Sequence, residues 1–202
     1  MSTQRVPYLT HEQYLEIERK AEFPSEYING EMFAMSGGTP NHARIALNTA
    51  IQLTEQLRGR PCEAFGADLL RLHIAKYNIS TYPDVLVTCG AAHLLDALRD
   101  TLIDATVIVE VLSPSTMAYD RGEKFRIYRS LPSFSEYLLL AQHEIRAEHY
   151  ARQSDGSWLF RESTDAAGEI ELKSISCRLQ IQSLYERVEF ETVGPPTSLT
   201  NP

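Results

Sequence analysis

The sequence predicts a mixed β-sheet flanked by helices, in the α/β or α+β class, with a C-terminal third rich in strands. Two short apolar segments, residues 82–87 and 107–112, have the β-branched and aliphatic composition of buried strands. Segments with helical start and stop signals alternate with strand-like segments in the first two thirds of the chain. The last third instead has four strand-like segments in succession.

The chain has the size of one domain with a substantial core, because its 202 residues are 43% hydrophobic. We expect a single domain over residues 1–192. Residues 193–202 are rich in proline and threonine, and they predict a disordered tail.

The first elements carry clear local signals. Thr10 followed by Gln13 is a capping box that opens a helix to about residue 21, and Pro24 stops it. Asn29-Gly30 predicts a tight hairpin, because both residues tolerate the positive φ values of a type I′ turn. Glu26 therefore lies at the base of a strand.

The remaining elements follow from hydrophobic spacing and from chain breakers. Gly59 and Pro61 end a helix, and Pro132 ends a later one. We expect a loop or short helix at residues 91–100. The predicted helices span 41–58 and 116–130, and the predicted strands span 62–65, 68–74, 134–141, 146–151, 158–162 and 169–173, with a turn at Asp155-Gly156 in the C-terminal group.

Charge and hydropathy limit the function classes. A net charge of −8 argues against non-specific coating of nucleic acid, because affinity for the phosphate backbone comes mostly from clustered Lys and Arg. It leaves room for a local basic groove. The N-terminus has no apolar run, and nowhere do about 18 uncharged apolar residues occur in succession. The sequence therefore predicts a soluble cytoplasmic protein with no membrane segment.

The cysteines and most histidines show no ligand pattern. Cys62, Cys89 and Cys177 are odd in number and lack C-x-x-C spacing, so they predict neither a disulfide framework nor a structural zinc site. Four histidines likewise lack metal-ligand spacing and receive no role: His73, His93, His143 and His149.

Each apolar strand carries one carboxylate, Asp84 in the first and Glu110 in the second. An ionised carboxylate without a partner costs several kcal/mol to bury, so these two require protonation, a basic partner or a shared divalent cation. Arg71 and Arg121 are the arginines that could simply pair with Asp84.

The helix after the second strand supplies a cation. Asp120, Lys124 and Tyr128 recur every four residues and form one polar stripe. If that helix folds back over the strand ends, Lys124 reaches the two carboxylates. Two acidic ligands, a backbone carbonyl and water suit Mg²⁺ or Mn²⁺, and Lys124 would orient or help deprotonate an attacking water. Phosphodiester hydrolysis is the natural reaction for that set.

Several ordered motifs resemble a known family over about residues 8–190. The chain is similar to the Uma-type endonucleases of the PD-(D/E)xK restriction-endonuclease-like superfamily. The matching residues are Glu26-Tyr27-Ile28-Asn29-Gly30-Glu31, Asn41-His42, Pro83-Asp84-Val85, Glu110-Val111-Leu112-Ser113-Pro114-Ser115-Thr116, Asp120-Arg121-Gly122-Glu123-Lys124 and Glu136-Tyr137-Leu138.

The resemblance implies a restriction-endonuclease-like domain in which Asp84, Glu110 and the Val111 carbonyl hold Mg²⁺ or Mn²⁺. The superfamily lysine normally stands where this chain has Leu112, and Lys124 resembles a migrated replacement. Glu26 is similar to the upstream acidic residue of such sites. DNA as substrate and a homodimer are further implications.

Second-tier candidates are His42, Asp120 and Tyr128. His42 follows a glycine loop at a helix N-terminus, where anions bind, although local capping is an alternative role. Asp68, on its own predicted strand, is a neighbour of the site with no assigned role.

Less specific interpretations remain open at this stage. Lys124 fits a solvated helix residue balanced by Asp120, and Glu26 fits a hairpin-edge surface residue. The rival function is a catalytically silent nucleic-acid- or protein-binding member of the same fold, because the chain is acidic and its lysine is displaced. A third is a metal-dependent hydrolase of small phosphoesters.

Overall fold

Two β-sheets and a short ladder make up the fold in the computed structural model, which describes residues 8–35, 37–66 and 70–190. The chain crosses between the two sheets several times, and one crossing from the first sheet to the second takes only the three residues 82–84. Asp68, with the predicted start of its strand, and the predicted tail at 193–202 lie outside the described residues.

The first sheet has the strand order β2-β1-β5-β4-β7. Its pairs are antiparallel except for β4 with β7, which is parallel. The sequence did not predict β5 or β7, which are only three and two residues long. The strands are β1 Ser25–Ile28, β2 Glu31–Ala34, β4 Arg71–Ile74, β5 Ile79–Thr81 and β7 Thr101–Leu102.

The second sheet has the order β11-β10-β9-β8-β6-β3, and the β12–β13 ladder follows it. Among the described strands of this sheet, only β8 and β9 pair in parallel. The strand-rich C-terminal third is thus confirmed, although β13 was missed. The strands are β3 Cys62–Gly66, β6 Val85–Cys89, β8 Val107–Leu112, β9 Glu136–Ala141, β10 Ala147–Arg152, β11 Trp158–Ser163, β12 Glu169–Leu172 and β13 Cys177–Gln180.

The first two helices begin where the sequence predicts, and the third begins within one residue of the predicted start, whereas the sequence did not predict the short fifth helix. Thr10 and Gln13 form the capping box, and Thr39 caps the second helix through the amide of His42. In the described part of the chain, no helix is long and apolar enough to span a bilayer. The helices are α1 His11–Glu18, α2 Pro40–Leu57, α3 Met117–Tyr119, α4 Phe125–Tyr128 and α5 Ile181–Leu184, with a π-helical turn, Asp120–Lys124, between α3 and α4.

The central strand β8 separates two apolar layers. Val107, Val109 and Val111 pack in one cluster with residues of α2, whereas Ile108 and Leu112 belong to the cluster on the other face. Side chains alternate along a strand, so Glu110 shares the face of Ile108 and Leu112. Each fully buried aliphatic side chain contributes about 1.5–3 kcal/mol, so this strand anchors both layers.

The predicted hairpin is confirmed. Asn29 and Gly30 have φ values of 48° and 102°, the positive range that the tight turn requires. The turn fixes the register of β1 on β2, with Glu26 opposite Phe33.

The prediction that the cysteines form no disulfide is wrong. Cys62 and Cys89 lie opposite each other on β3 and β6, with their Cα atoms 4.0 Å apart, and form a disulfide. Their distance along the sequence hid this pairing, because strand register brings them together. Cys177 is buried and has a free thiol.

Candidate active site

The structure brings together the four predicted catalytic residues where the two sheets meet. Glu26 comes from β1, Asp84 from the entry to β6, Glu110 from β8 and Lys124 from the π-helical turn. Asp84 and Glu110 are both buried.

Lys124 is the centre of this cluster. Its Nζ lies 3.1 Å from Glu110 Oε1, 3.4 Å from Asp120 Oδ1 and 3.5 Å from Glu26 Oε1. Its side chain is only 12% exposed, so Lys124 is not a solvated helix residue. Three carboxylates from three separate elements therefore surround one ammonium group.

The polar stripe on the helical segment is confirmed, and the structure adds a π-helical turn within it. Asp120 contacts Lys124, and both Lys124 and Tyr128 reach Glu110. The sequence did not predict that the segment widens into a π-turn at Asp120–Lys124. Such turns are rare and frequently occur at functional sites.

Glu110 accepts two hydrogen bonds on one oxygen. The Tyr128 hydroxyl donates to Oε1 at 2.7 Å, and Lys124 Nζ donates to the same atom. Burial, together with the negative charges of Asp120 and Asp84, raises the pKa of Glu110 to about 8. Lys124 and Tyr128 act in the opposite direction.

The carboxylates of the cluster stabilise the charged form of Lys124. Burial alone lowers the pKa of Lys124, but Glu110, Glu26 and Asp120 hold that pKa well above its ordinary value. Burial raises the pKa of Asp120. Asp120 Oδ1 is buried and accepts no hydrogen bond. Lys124 is therefore a fixed cation, and Asp120 keeps an acceptor oxygen directed at it.

Asp84 caps the end of the β6–β8 pairing. The register ends at Val85 opposite Val109, so the next position sets Asp84 against Glu110. There Asp84 Oδ2 accepts the amide of Val111 at 2.6 Å, in place of a backbone acceptor. The carboxylate is thereby fixed to the strand that carries Glu110.

His42 approaches Asp84 from the first turn of α2. Its Nε2 lies 3.4 Å from Asp84 Oδ2, so this second-tier residue contacts the site. Neither arginine considered as a partner of Asp84 serves that role. Arg71 pairs with Asp100, and Arg121 makes a forked contact with Glu148.

Glu26 has a partner that sequence reasoning missed. Tyr27 pairs with Ser80 in the β1–β5 register, so the adjoining position sets Glu26 opposite Thr81. The Thr81 hydroxyl donates to Glu26 Oε1. Glu26 is thus held between Thr81 and Lys124, and it is not a hairpin-edge surface residue. The β-branched pair in Ile79-Ser80-Thr81 was the available signal.

Tyr119 is a second missed neighbour. It lies one residue before Asp120, and burial, followed by the charge of Glu26, raises the pKa of its phenol to about 12. Its position on the short helix before the π-turn gave no distinct sequence signal.

Carboxylate oxygens are the ligands that a hard divalent cation prefers, the charges of Asp84 and Asp120 are close enough to Glu110 to raise its pKa, and Asp120 Oδ1 lacks a hydrogen bond. Within residues 8–35, 37–66 and 70–190, however, no three His, Cys, Asp or Glu side chains already converge as a ligand group. The Val111 amide contacts Asp84, and the role of the Val111 carbonyl stays a prediction.

Comparisons with known proteins find relatives over most of the chain. Residues 11–183 match the Uma2 family, described as "Putative restriction endonuclease". An uncharacterized protein of Synechocystis sp. is 35% identical over 184 residues, which cover 91% of this chain and 95% of that protein. A second one is 36% identical over 163 residues, which cover 81% and 92%.

A solved structure shares the fold. The crystal structure of "a putative nuclease belonging to DUF820" from Anabaena variabilis matches with a TM-score of 0.70 and 19% identity. The match covers 88% of this chain and 98% of that one. At this identity the likeness shows the fold alone, and it confirms the predicted fold class.

Proposed function

The chain belongs to the Uma2 family of restriction-endonuclease-like proteins, and from this premise we propose that it is a Mg²⁺- or Mn²⁺-dependent endonuclease that hydrolyses phosphodiester bonds in DNA. The observation that carries the proposal is the burial of Lys124 against Glu110, beside Asp84, at the meeting of two sheets. A buried lysine among carboxylates is costly to maintain by stability alone, which favours a chemical role.

Asp84 and Glu110 would hold the cation, with the Val111 carbonyl and water completing its oxygen ligands. When bound, the ion neutralises charge that develops on the phosphate and acidifies a bound water. Asp120 adds an acceptor oxygen beside them. Because both hydrogen bonds to Glu110 end on Oε1, Oε2 is the oxygen of this carboxylate best suited to a cation.

Lys124 would orient the attacking water and stabilise negative charge. Its pKa is held well above the ordinary value, so it carries a proton at neutral pH and donates hydrogen bonds. It therefore does not serve as the general base in this arrangement. Glu26 keeps the ammonium directed into the site, since Glu26 is itself fixed by Thr81.

Tyr128 and His42 would act as positioning residues. Tyr128 fixes one oxygen of Glu110 through its hydroxyl, and His42 lies against one oxygen of Asp84. Each of the two metal-binding carboxylates thus has its own partner on a helical segment. Preorganised ligands of this kind reduce the free-energy cost of assembling the site.

A silent binding protein of the same fold is the second candidate. It is favoured by the position of Lys124, whose ammonium already compensates the carboxylates that a cation would require. In that case the cluster serves stability, and no cation binds.

One experiment separates the two candidates. Mn²⁺ is titrated calorimetrically into the parent protein and into Asp84→Asn and Glu110→Gln, and the same proteins are assayed for nicking of supercoiled plasmid with Mg²⁺ or EDTA. We expect the parent to bind Mn²⁺ and nick DNA, and both variants to lose each property. Glu55→Gln, an exposed carboxylate on α2, is the matched control.

The silent-protein alternative gains support if Mn²⁺ does not bind and EDTA changes nothing. Nicking by Glu110→Gln at the parental rate would remove the proposed mechanism. A small chromogenic phosphodiester in the same assay tests the small-substrate alternative. The homodimer and the cytoplasmic location stay predictions, and light scattering of the purified protein tests the first of them.

A further inference from the structure

A cleft lies on the face of the large sheet that is opposite to Glu110. Its volume is about 360 Å³, and Glu136 on β9 and His149 on β10 form part of its wall. Glu136 shares its face with Leu138 and Leu140, whose cluster contains Val109, whereas Glu110 faces the opposite cluster. The cleft therefore does not belong to the Lys124 site.

The two sites also differ in position along the strands. Glu136 pairs with Val107, and Glu110 pairs with Leu139, so three residues separate them in the ladder. This corresponds to about 10 Å along the strand, in addition to the thickness of the sheet.

The wall of the cleft contains a buried carboxylate that is already satisfied. Glu136 is 2% exposed and accepts hydrogen bonds from the amides of Lys173 and Ser174 and from the Ser174 hydroxyl. Burial raises the pKa of Glu136, but the neighbouring imidazole of His149 and then the hydrogen bonds from Ser174 hold that pKa below its ordinary value. Glu136 is therefore ionised at neutral pH, and its charge is stabilised by the hydroxyl and backbone amides of the residues that follow β12.

His149 is the other buried polar side chain in the wall of the cleft. It is 6% exposed, and its Nε2 makes no hydrogen bond, although Glu136 Oε1 lies 3.3 Å away. Ser174 donates to the carboxylate and not to the imidazole, so the three groups do not form a Ser-His-acid triad. His149 Nε2 thus has an ionic neighbour in Glu136 but no hydrogen bond of good geometry, and a ligand in the cleft can supply one.

Cations surround the opening. Arg152, Arg161 and Lys173 line the cleft, with Glu171 as the only other acidic lining residue besides Glu136. Glu171 is itself paired with Arg178. Arg161 stands opposite His149 in the β10–β11 register and, within the described residues, makes no ion pair or side-chain hydrogen bond. Hydroxyl and amide groups of Ser135, Gln153 and Ser154 complete the polar wall.

We propose that this cleft binds a phosphate monoester, with Arg161 as its principal ligand, Arg152 and Lys173 as flanking cations and His149 Nε2 as an inner contact. Guanidinium groups suit phosphate oxygens because they form paired, charge-assisted hydrogen bonds. The volume lies within the range of small-molecule sites, about 300–1,000 Å³, and accommodates a phosphate with one attached group. The phosphate is supplied either by a mononucleotide or by the phosphorylated end of a DNA strand.

The test is a binding measurement that does not use catalysis. Inorganic phosphate and adenosine 5′-monophosphate are titrated into the full chain in EDTA, with calorimetry and the histidine ring signals in NMR as readouts. We expect saturable binding by the parent, a shift of the His149 ring signal, and affinity weakened about tenfold or more in Arg161→Gln, as for loss of a charged hydrogen bond. Arg161 is exposed, so this variant keeps the fold.

Two controls locate the site. Arg58→Gln removes an exposed arginine at the end of α2 and should bind phosphate as the parent does. Glu110→Gln should also retain binding, which keeps this inference separate from the proposed nuclease site. Competition by a 5′-phosphorylated oligonucleotide, but not by its 5′-hydroxyl form, identifies a DNA end as the source, whereas competition by neither form identifies the mononucleotide.

Absence of binding up to about 10 mM phosphate or monophosphate overturns the proposal, since charged ligand sites of this size reach millimolar affinity or better. Equal affinities in Arg161→Gln and the parent overturn it as well, because the ligand would then bind elsewhere.

Discussion

Lys124 Nζ lies 3.1 Å from Glu110 Oε1, and the Tyr128 hydroxyl lies 2.7 Å from the same oxygen. Two donors from one helical segment thus converge on a single carboxylate oxygen of β8. The interaction joins the segment after the strand back to the strand itself. It fixes Oε1 of Glu110, and Oε2 receives neither of these two hydrogen bonds.

Replacing Lys124 by methionine should separate catalysis from cation binding. Lys124→Met removes the ammonium that orients water, so we expect the nicking rate to fall at least about 100-fold. Mn²⁺ affinity should stay equal or increase, because a competing positive charge is lost from the carboxylates. Calorimetry and the plasmid assay measure the two effects. Lys20→Met, an exposed lysine after α1, should change neither. A parental nicking rate in Lys124→Met contradicts the assigned role.

The stability of the metal-free protein should depend on pH because Glu110 is buried. Burial raises the pKa of this carboxyl to about 8, from an ordinary value of 4.5, so the folded chain keeps a proton that the unfolded chain releases. The stabilising contribution is complete below pH 4.5 and is lost as the pH rises toward 8. Compared with Glu110→Gln, the parent should lose more than about 1 kcal/mol across this interval, since one pKa unit corresponds to about 1.4 kcal/mol.

Urea unfolding in EDTA at pH 5 and pH 8 measures this difference. The free energy of unfolding of Glu55→Gln should change with pH in the same way as that of the parent across this interval. The idea fails if the parent gains stability over Glu110→Gln as the pH rises, since that is the behaviour of a carboxylate whose pKa is lowered.

The Tyr128 hydroxyl should influence the pKa of Glu110. Its hydrogen bond lowers the pKa of that carboxyl, so Tyr128→Phe should raise the pKa and move the pH midpoint of Mn²⁺ binding upward. We expect weaker binding at pH 7 that recovers at higher pH, together with a loss of about 1 kcal/mol in stability. Tyr14→Phe is the matched control, because this buried hydroxyl donates to the Ser25 carbonyl instead. An unchanged midpoint in Tyr128→Phe would assign the tyrosine to packing alone.

Thr81 should act through Glu26. Thr81→Val keeps the β-branched shape but removes the hydroxyl that donates to Glu26, so Glu26 should hold Lys124 less firmly. We expect nicking to decrease about fivefold or more, in line with one lost hydrogen bond to a charged group. Thr81→Ser restores the hydroxyl and should recover most of the rate. Equal rates in the valine and serine variants would show that the hydroxyl is not involved.

The disulfide should stabilise the second sheet. Cys62 and Cys89 are 27 positions apart, and closing a loop of that length contributes about 3.5 kcal/mol in the chain-entropy treatment. Reduction, or the double change Cys62→Ser with Cys89→Ser, should lower the free energy of unfolding by about 2–4 kcal/mol. Urea melts with and without dithiothreitol measure this, and the double variant should not respond to the reductant. If reduction leaves the parent's unfolding curve in place, the bond makes no contribution.

The residues of the site that the sequence predicts are those whose type is unusual for their local sequence context. A carboxylate within an apolar strand is anomalous by itself, which identifies Asp84 and Glu110 before any contact is known. Lys124 follows from a four-residue period, since helical spacing is also local. Glu26 was identified through the family resemblance, and its position at a hairpin base agreed.

The unpredicted part depends on strand register. Thr81 reaches Glu26 only because β5 pairs with β1, and β5 is three residues long, too short for a clear pattern. The Cys62–Cys89 bond depends in the same way on how β3 pairs with β6. The π-turn at Asp120–Lys124 is set by the packing of that segment on the sheet, which propensity does not encode.

The short passage at residues 82–84 has a consequence for the timing of assembly. Glu26 and Thr81 precede it on one sheet, Glu110 follows it on the other, and Lys124 comes later still. A chain emerging from the ribosome therefore cannot complete the charged cluster until both sheets have formed and the segment ending at Tyr128 has docked. Any hydrolytic capacity of this protein is thus withheld from unfinished chains, because the residues needed for it meet only in the completed fold.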